Sequence, residues 1–274
     1  MMNDSRICHI DDIKDERVAL YTEYNEPQLF HYNEPAAGIF IAETPMVIAR
    51  AIAGGARPLS FFVETGALKN RDVQSILEEA DDSITVFEAE LPVINNITGF
   101  NLTRGMLAAF ERPKLPKAEE LIRTGKNIAI LEDIVNPTNV GAIFRSAAAI
   151  GVDSILLTDA STDPFYRRSA RVSMGTVFMI PWTYISKTAD IISFLHNEEY
   201  SVISMALSED ATDIADQKLK TNGKKAVIFG SEGDGICKET LDKSDHIAMI
   251  PMRNGVDSLN VAAASAIAFW ELCR

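Results

Sequence analysis

The stretch Asn127-Ile-Ala-Ile-Leu131-Glu-Asp-Ile-Val-Asn-Pro-Thr-Asn-Val-Gly-Ala-Ile-Phe-Arg-Ser-Ala147 decides the fold class. Its first five residues form a short apolar run, as in a strand buried on both faces. Asn136 can then cap a helix, with Pro137 at its first position. At about 100° per residue, Val140, Ile143, Phe144 and Ala147 fall on one stripe. Arg145 points well off that stripe, and Gly141 lies one turn before it. The strand-then-helix pattern recurs. Ser154–Leu157, Val202–Met205, Ala226–Phe229 and Ile247–Ile250 are further buried-strand runs, while Val140–Ile150, Thr188–Asn197 and Ser258–Cys273 read as helices. Alternation of this kind predicts an α/β fold, with a parallel sheet covered by helices. Ligands in such sheets bind beyond the carboxyl ends of the strands, so the residues just after the strands are the place to look.

Outward from this core the pattern weakens. Thr44–Ala53 reads as a helix with Pro45 in its first turn and Gly54-Gly55 as its stop. Leu59–Val63 and Gly105–Phe110 read as strands and Val73–Glu79 as a helix, which suggests a smaller α/β domain. Glu111-Arg-Pro-Lys-Leu-Pro-Lys117 has two prolines and no apolar periodicity, so it reads as a linker. The division expected is a first domain over 1–112, a linker over 113–122 and a second domain over 123–274.

The 274 residues are 47% apolar and 24% charged, ordinary for a globular chain and unlike a disordered or fibrous one. The formal charge is −13, which argues against a protein that coats polyanions through its whole surface. It leaves room for a small basic patch. Cys8, Cys237 and Cys273 are too sparse for a disulfide framework, and His9, His31, His196 and His246 show no ligand spacing, so no metal site is expected. The charged start and the absence of a long apolar run give no signal peptide and no membrane span. The expected address is a reducing cytoplasm.

Two more segments follow strands. Ile228-Phe-Gly-Ser-Glu-Gly-Asp-Gly-Ile236 brings three glycines to a turn, which permits positive φ and close approach of a ligand to the backbone. It is neither a dinucleotide fingerprint nor a Walker loop, and Glu232 would repel a phosphate. A cationic or polyhydroxylated ligand suits it better. Ile250-Pro-Met-Arg-Asn-Gly-Val-Asp-Ser-Leu-Asn260 leads from a strand into the last helix, where Ser258 is the expected cap and Asn260 needs a partner.

These three segments, in this order, resemble the three signature motifs of the SpoU (TrmH-like) branch of the SPOUT superfamily, RNA 2′-O-ribose methyltransferases that use S-adenosylmethionine. A fourth stretch, Asp163-Pro-Phe-Tyr-Arg-Arg-Ser-Ala-Arg-Val-Ser-Met-Gly175, resembles the family's D-P-x(6)-R-x-S-M-G element. The resemblance covers about residues 127–274. Residues 1–112 resemble, more loosely, the RNA substrate-binding domain that often precedes it, through Phe40–Arg50 and Arg104–Phe110.

The resemblance implies a deep trefoil knot in the second domain, homodimers, and an RNA substrate, rRNA before tRNA. By position, Gly230, Ile250 and Leu259 match residues that bind S-adenosylmethionine. Arg145 matches the main catalytic candidate. A guanidinium holds its proton, so Arg145 is expected to hold a phosphate and stabilise the developing alkoxide, not to act as a base. Asn139, Glu232, Ser258 and Asn260 match the remaining signature positions. Asn139 is expected to keep the site's geometry, Glu232 and Asn260 to brace the cofactor loop, and Ser258 to lie near the ribose. Arg167, Arg168 and Arg171 put three cations within five residues, dense enough to bind phosphate. Two other readings stay open on the sequence: a non-catalytic RNA-binding protein with this fold, and a methyltransferase acting on a base.

Overall fold

The computed structural model describes residues 4–98, 105–208, 210–220 and 223–274. Residues 1–3 and Arg104, both within stretches read above, lie outside the described residues. Contacts divide the chain into two compact units, Met1–Lys114 with Phe165–Phe178, and Leu115–Pro164 with Met179–Arg274.

The first unit carries strands β1 (Ile7–His9), β2 (Ile39–Glu43), β3 (Arg57–Glu64), β4 (Thr85–Ala89) and β5 (Met106–Glu111). Its helices begin with α1 (Ala19–Thr22), α2 (Glu26–Phe30), α3 (Pro45–Ala53), α4 (Arg71–Glu79) and α5 (Leu91–Thr98). The sheet order is β1-β4-β3-β5-β2, with β5 antiparallel to both of its neighbours. Ile41, Phe62, Leu107 and Ala109 form its core with Tyr21 and Leu29. The buried Tyr21 hydroxyl donates to the Ser60 carbonyl (2.9 Å) and accepts from Ala109 N–H (3.1 Å), and burial holds its pKa above the usual phenol value. The stretches read as helix 44–53, strand 59–63, helix 73–79 and strand 105–110 are α3, β3, α4 and β5.

The second unit contains strands β6 (Asn127–Leu131), β7 (Ser154–Thr158), β8 (Trp182–Ile185), β9 (Tyr200–Met205), β10 (Thr212–Asp213), β11 (Lys224–Phe229) and β12 (His246–Met249). Its helices are α6 (Ala118–Thr124), α7 (Pro137–Ile150), α9 (Thr188–Asn197), α10 (Lys238–Lys243) and α11 (Val261–Leu272). All seven strands are parallel in the order β10-β12-β9-β11-β6-β7-β8. Four of the five apolar runs of the sequence fall within β6, β7, β9 and β11; the fifth, Ile247–Ile250, is β12 except for Ile250, which lies one residue past the end of that strand. On α7 the stripe Val140, Ile143, Phe144 and Ala147 is fully buried, and α11 packs against this helix. Residues 118–122, expected as linker, instead open α6, because Leu121 and Ile122 are buried in the core beneath it.

The segment Phe165–Phe178, which carries α8 (Arg167–Val172), was expected with the second domain but packs in the first unit. Phe165 and Phe178 stack on Phe40 of β2, with centroids 5.0 and 5.4 Å away, and Phe40 stacks in turn on Phe110. Arg50 donates to the Met174 carbonyl (2.7 Å), and Gly175 takes φ +83° against the Arg50 side chain, where a Cβ would sit 3.1 Å away. A positive φ and that close approach both call for glycine.

Candidate active site

Three neighbouring strands, β12, β9 and β11, end side by side at Met249, Met205 and Phe229. The chain leaves them through Ala206-Leu207, Gly230–Ile236 and Ile250–Asn260. Together these segments enclose a cavity of about 630 Å³ at the carboxyl edge of the sheet. Its apolar lining includes Met205, Leu207, Leu241, Met249, Ile250 and Leu259, and among the described residues its charged lining is Glu232 and Asp234, with no Lys, Arg or His. A phosphate would meet two carboxylates there and no cation.

The loop after β11 is folded on itself. Ser231 and Gly235 exchange both backbone hydrogen bonds (3.1 Å each), and Asp234 N–H donates to Ser231 Oγ (3.1 Å). A Cβ on Gly230 would run into the backbone of Gly235 and Ile236. The room left by this glycine is therefore filled by the loop itself, whereas the sequence reading gave it to a ligand.

Across the loop, three signature side chains meet. Asn139 Nδ2 donates to Glu232 Oε1 (2.8 Å), Asn260 Nδ2 donates to the same oxygen (2.6 Å), and Asn260 Nδ2 also lies 3.0 Å from Asn139 Oδ1. Asn260 Oδ1 accepts from Ala262 N–H (3.0 Å) and so caps α11. This corrects the expectation that Ser258 is the cap: Ser258 lines the cavity instead. Both are N-cap residue types, but the capped turn begins at Val261, within reach of Asn260 alone. Asn139 is buried on α7, whose own cap is Asn136, with Oδ1 accepting from Thr138 N–H (2.9 Å). Hydrogen bonds to a carboxylate contribute about 1.5–3 kcal/mol each when sheltered and less when exposed. Glu232 is exposed, so these belong at the lower end.

Six of the residues singled out from sequence, Gly230, Glu232, Ile250, Ser258, Leu259 and Asn260, therefore line one cavity, and Asn139 is bonded to two of them. Arg145 is exposed on α7, does not line the cavity, and has no hydrogen-bond or ion-pair partner among the described residues. The arginine cluster is not a uniform cation. Arg167 pairs with Glu26 (3.8 Å) and Arg171 with the buried Glu43 (3.4 Å), leaving Arg168 exposed and unpaired among the described residues. Among the described residues no His, Cys, Asp and Glu gather as a metal site, and no helix is long and apolar enough to cross a membrane. Sequence reasoning passed over Glu132, a buried acid whose carboxyl reaches Cys237 and Thr240. Its one signal is an acidic residue placed directly after the unbroken apolar run Ile128–Leu131.

The model of the SpoU rRNA Methylase family matches residues 126–270. The chain is similar to an uncharacterised tRNA/rRNA methyltransferase of Mycobacterium bovis, 31% identical over 241 residues, covering 86% of this chain and 81% of that protein. It is also similar to the 23S rRNA (guanosine-2′-O-)-methyltransferase of Haemophilus ducreyi, 27% identical over 225 residues, covering 77% of this chain and 89% of the other. Among solved structures, the AdoMet-bound rRNA methyltransferase of Sinorhizobium meliloti shares the fold with a TM-score of 0.81, at 23% identity over 97% of each chain. With the signature residues gathered around one cavity and the family match spanning more than half of its length, the chain belongs to the SpoU rRNA methylase family.

Proposed function

We propose that this protein is an S-adenosylmethionine-dependent RNA methyltransferase acting on a ribose 2′-hydroxyl, with rRNA favoured over tRNA. The observation that carries the reading is the Asn139–Glu232–Asn260 network, which ties two loops and α7 around a cavity lined by carboxylates and no cation. That lining fits a sulfonium ligand and disfavours a nucleotide phosphate. The named activity of the Haemophilus ducreyi relative supports the 2′-oxygen as acceptor.

S-adenosylmethionine supplies the methyl group from its sulfonium. Gly230, Ile250 and Leu259 hold it, through strand-end backbone and apolar contact. Glu232, Asn139 and Asn260 keep the two loops closed on it. Arg145, exposed and without a partner among the described residues, is available to an RNA phosphate and to the charge that develops on the ribose oxygen. Ser258 lines the cavity, and in this reading it would lie near the ribose. The acceptor oxygen must be held about 3–3.5 Å from the methyl carbon, in line with the breaking bond.

The finer architecture belongs to the same proposal. The segment from Ile250 to the C-terminus forms a trefoil knot, a reading supported by α11 packing on α7 while its preceding loop lines the cavity. A second copy of the chain covers the exposed apolar stripe Ala263, Ile267 and Trp270 on α11. Residues 1–112 bind RNA together with Arg168, and the protein works in the cytoplasm. Ribose-methylation mapping of total RNA from cells with and without this protein tests the function. Loss of one 2′-O-methyl site supports it, and an unchanged map contradicts it.

A further inference from the structure

Glu132 directly follows β6, is 5% exposed, and does not itself line the cavity. It has no ion-pair partner among the described residues. Its backbone N–H donates to the carbonyl of Phe229 (2.9 Å), the residue just before the Gly230–Ile236 loop. Its side chain reaches the other end. Oε1 accepts from Cys237 N–H (2.6 Å) and Oε2 accepts from Thr240 Oγ1 (2.8 Å). One residue thus holds both ends of the loop that forms a wall of the cavity. The grip extends further: Ser244 Oγ donates to the Thr240 carbonyl (2.8 Å) and meets Ser204 Oγ of β9 (2.7 Å). Through Thr240 the carboxyl also fixes α10, whose Leu241 lines the cavity. Buried hydrogen-bonded groups of this kind are costly to leave unpaired, which makes such a network rigid.

We propose that Glu132 is a positioning residue: by bonding to Phe229, Cys237 and Thr240 it sets the closed shape of the Gly230–Ile236 loop, and thereby the affinity for the methyl donor, without touching that ligand. The inference rests on the reading that the cavity binds S-adenosylmethionine. A carboxyl reaches both donors at once. Gln keeps both contacts, since its oxygen can accept from Cys237 N–H and its amide can donate to the Thr240 hydroxyl. Asp is one carbon too short, and Ala offers nothing.

The test uses the full chain carrying Glu132→Gln, Glu132→Asp, Glu132→Ala or Thr240→Val. Titration calorimetry with S-adenosylmethionine gives the dissociation constant, well below the melting temperature of each variant. Hydrogen exchange of the Cys237 amide is followed without ligand. Glu132→Asp and Glu132→Ala should weaken binding by about 10- to 100-fold, the scale of one or two lost hydrogen bonds to a charged group. Exchange at Cys237 should rise in the same variants. Glu132→Gln should rescue both readouts to within a few-fold of the parent. Thr240→Val should fall between, and it stands in for Glu132→Ala if that variant does not fold. A lowered melting temperature with unchanged affinity and unchanged Cys237 exchange would overturn the proposal, leaving Glu132 a purely stabilising residue. If the parent chain binds no S-adenosylmethionine, the functional reading fails. Equal Cys237 exchange in the parent and in Glu132→Ala would separately refute the hold on the loop.

Discussion

Replacing Asn260 separates two duties that one side chain performs. Asn260 caps α11 through Oδ1 and donates to Glu232 and Asn139 through Nδ2. Asn260→Ala loses everything: about 1 kcal/mol for the cap, and about 0.5–1.5 kcal/mol for each of the two partly exposed bonds. The total is about 2–4 kcal/mol. Asn260→Asp keeps an oxygen for Ala262 N–H but sets a second carboxylate where Nδ2 now lies, 2.6 Å from Glu232 Oε1. Two charges about 4 Å apart repel by about 1 kcal/mol in water and about 4 kcal/mol at an effective dielectric of 20. Glu232 is exposed, so the lower figure governs, added to the lost donors. The loop should then open, and S-adenosylmethionine affinity, read by calorimetry, should fall at least about tenfold in Asn260→Asp while the melting temperature drops less than in Asn260→Ala. Parent-like affinity in Asn260→Asp would refute the claim that this network holds the cavity closed.

Other substitutions probe separate parts of the account. Arg145→Ala should abolish methyl transfer while leaving donor affinity within a few-fold, because no described residue depends on that side chain; a folded variant with parent-like turnover would return Arg145 to ordinary surface. In salt-dependence measurements, Arg168→Ala should lower the slope of log K for RNA against log salt by about 0.7–0.9, whereas Arg167→Ala should change it less, since Glu26 already neutralises that cation. Equal effects would remove the distinction between paired and free arginines. Phe40→Ala should cost about 3–5 kcal/mol and release protection in residues 165–178, to be read by hydrogen exchange, because the stack on Phe165 and Phe178 is lost; protection unchanged in that segment would contradict the packing. Burial pushes the Cys273 thiol from 9.0 up to about 12, so at pH 8 alkylation should label exposed Cys237 first and Cys273 only on unfolding. The sign for stability follows: the unfolded thiol ionises first, so this group's contribution is complete below pH 9 and is lost as pH rises from 9.0 towards about 12.

The second sheet is easy to read because its strands are buried on both faces, and Ile128–Leu131, Ile155–Leu157 and Ala226–Phe229 therefore spell unbroken apolar runs. β8 escaped because Trp182-Thr-Tyr-Ile185 follows a proline and mixes polar with apolar positions, and β10 because two residues carry no period. What the chain order concealed was long-range company. Nothing local says that Phe165 and Phe178 stack on Phe40, or that Arg167 and Arg171 meet acids 141 and 128 residues away. The residues that line the cavity stand in motifs legible in the sequence, yet only the folded chain shows Asn139 and Asn260 sharing one oxygen of Glu232. Two N-cap types two residues apart, Ser258 and Asn260, cannot be told apart until the first helical turn is placed. Glu132 shows the same limit from the other side, since a buried acid is identified by its partners and not by its neighbours in sequence.

The most direct measurement of the central claim is transfer of a labelled methyl group from S-adenosylmethionine to rRNA, followed by alkaline hydrolysis. A 2′-O-methyl ribose lacks the hydroxyl that attacks the adjoining phosphodiester, so its label stays in an alkali-stable dinucleotide. The account predicts that result for the parent chain and no incorporation for Arg145→Ala. Label recovered on a base in the mononucleotides that alkali releases, or no incorporation at all by a chain that binds the donor, would contradict it.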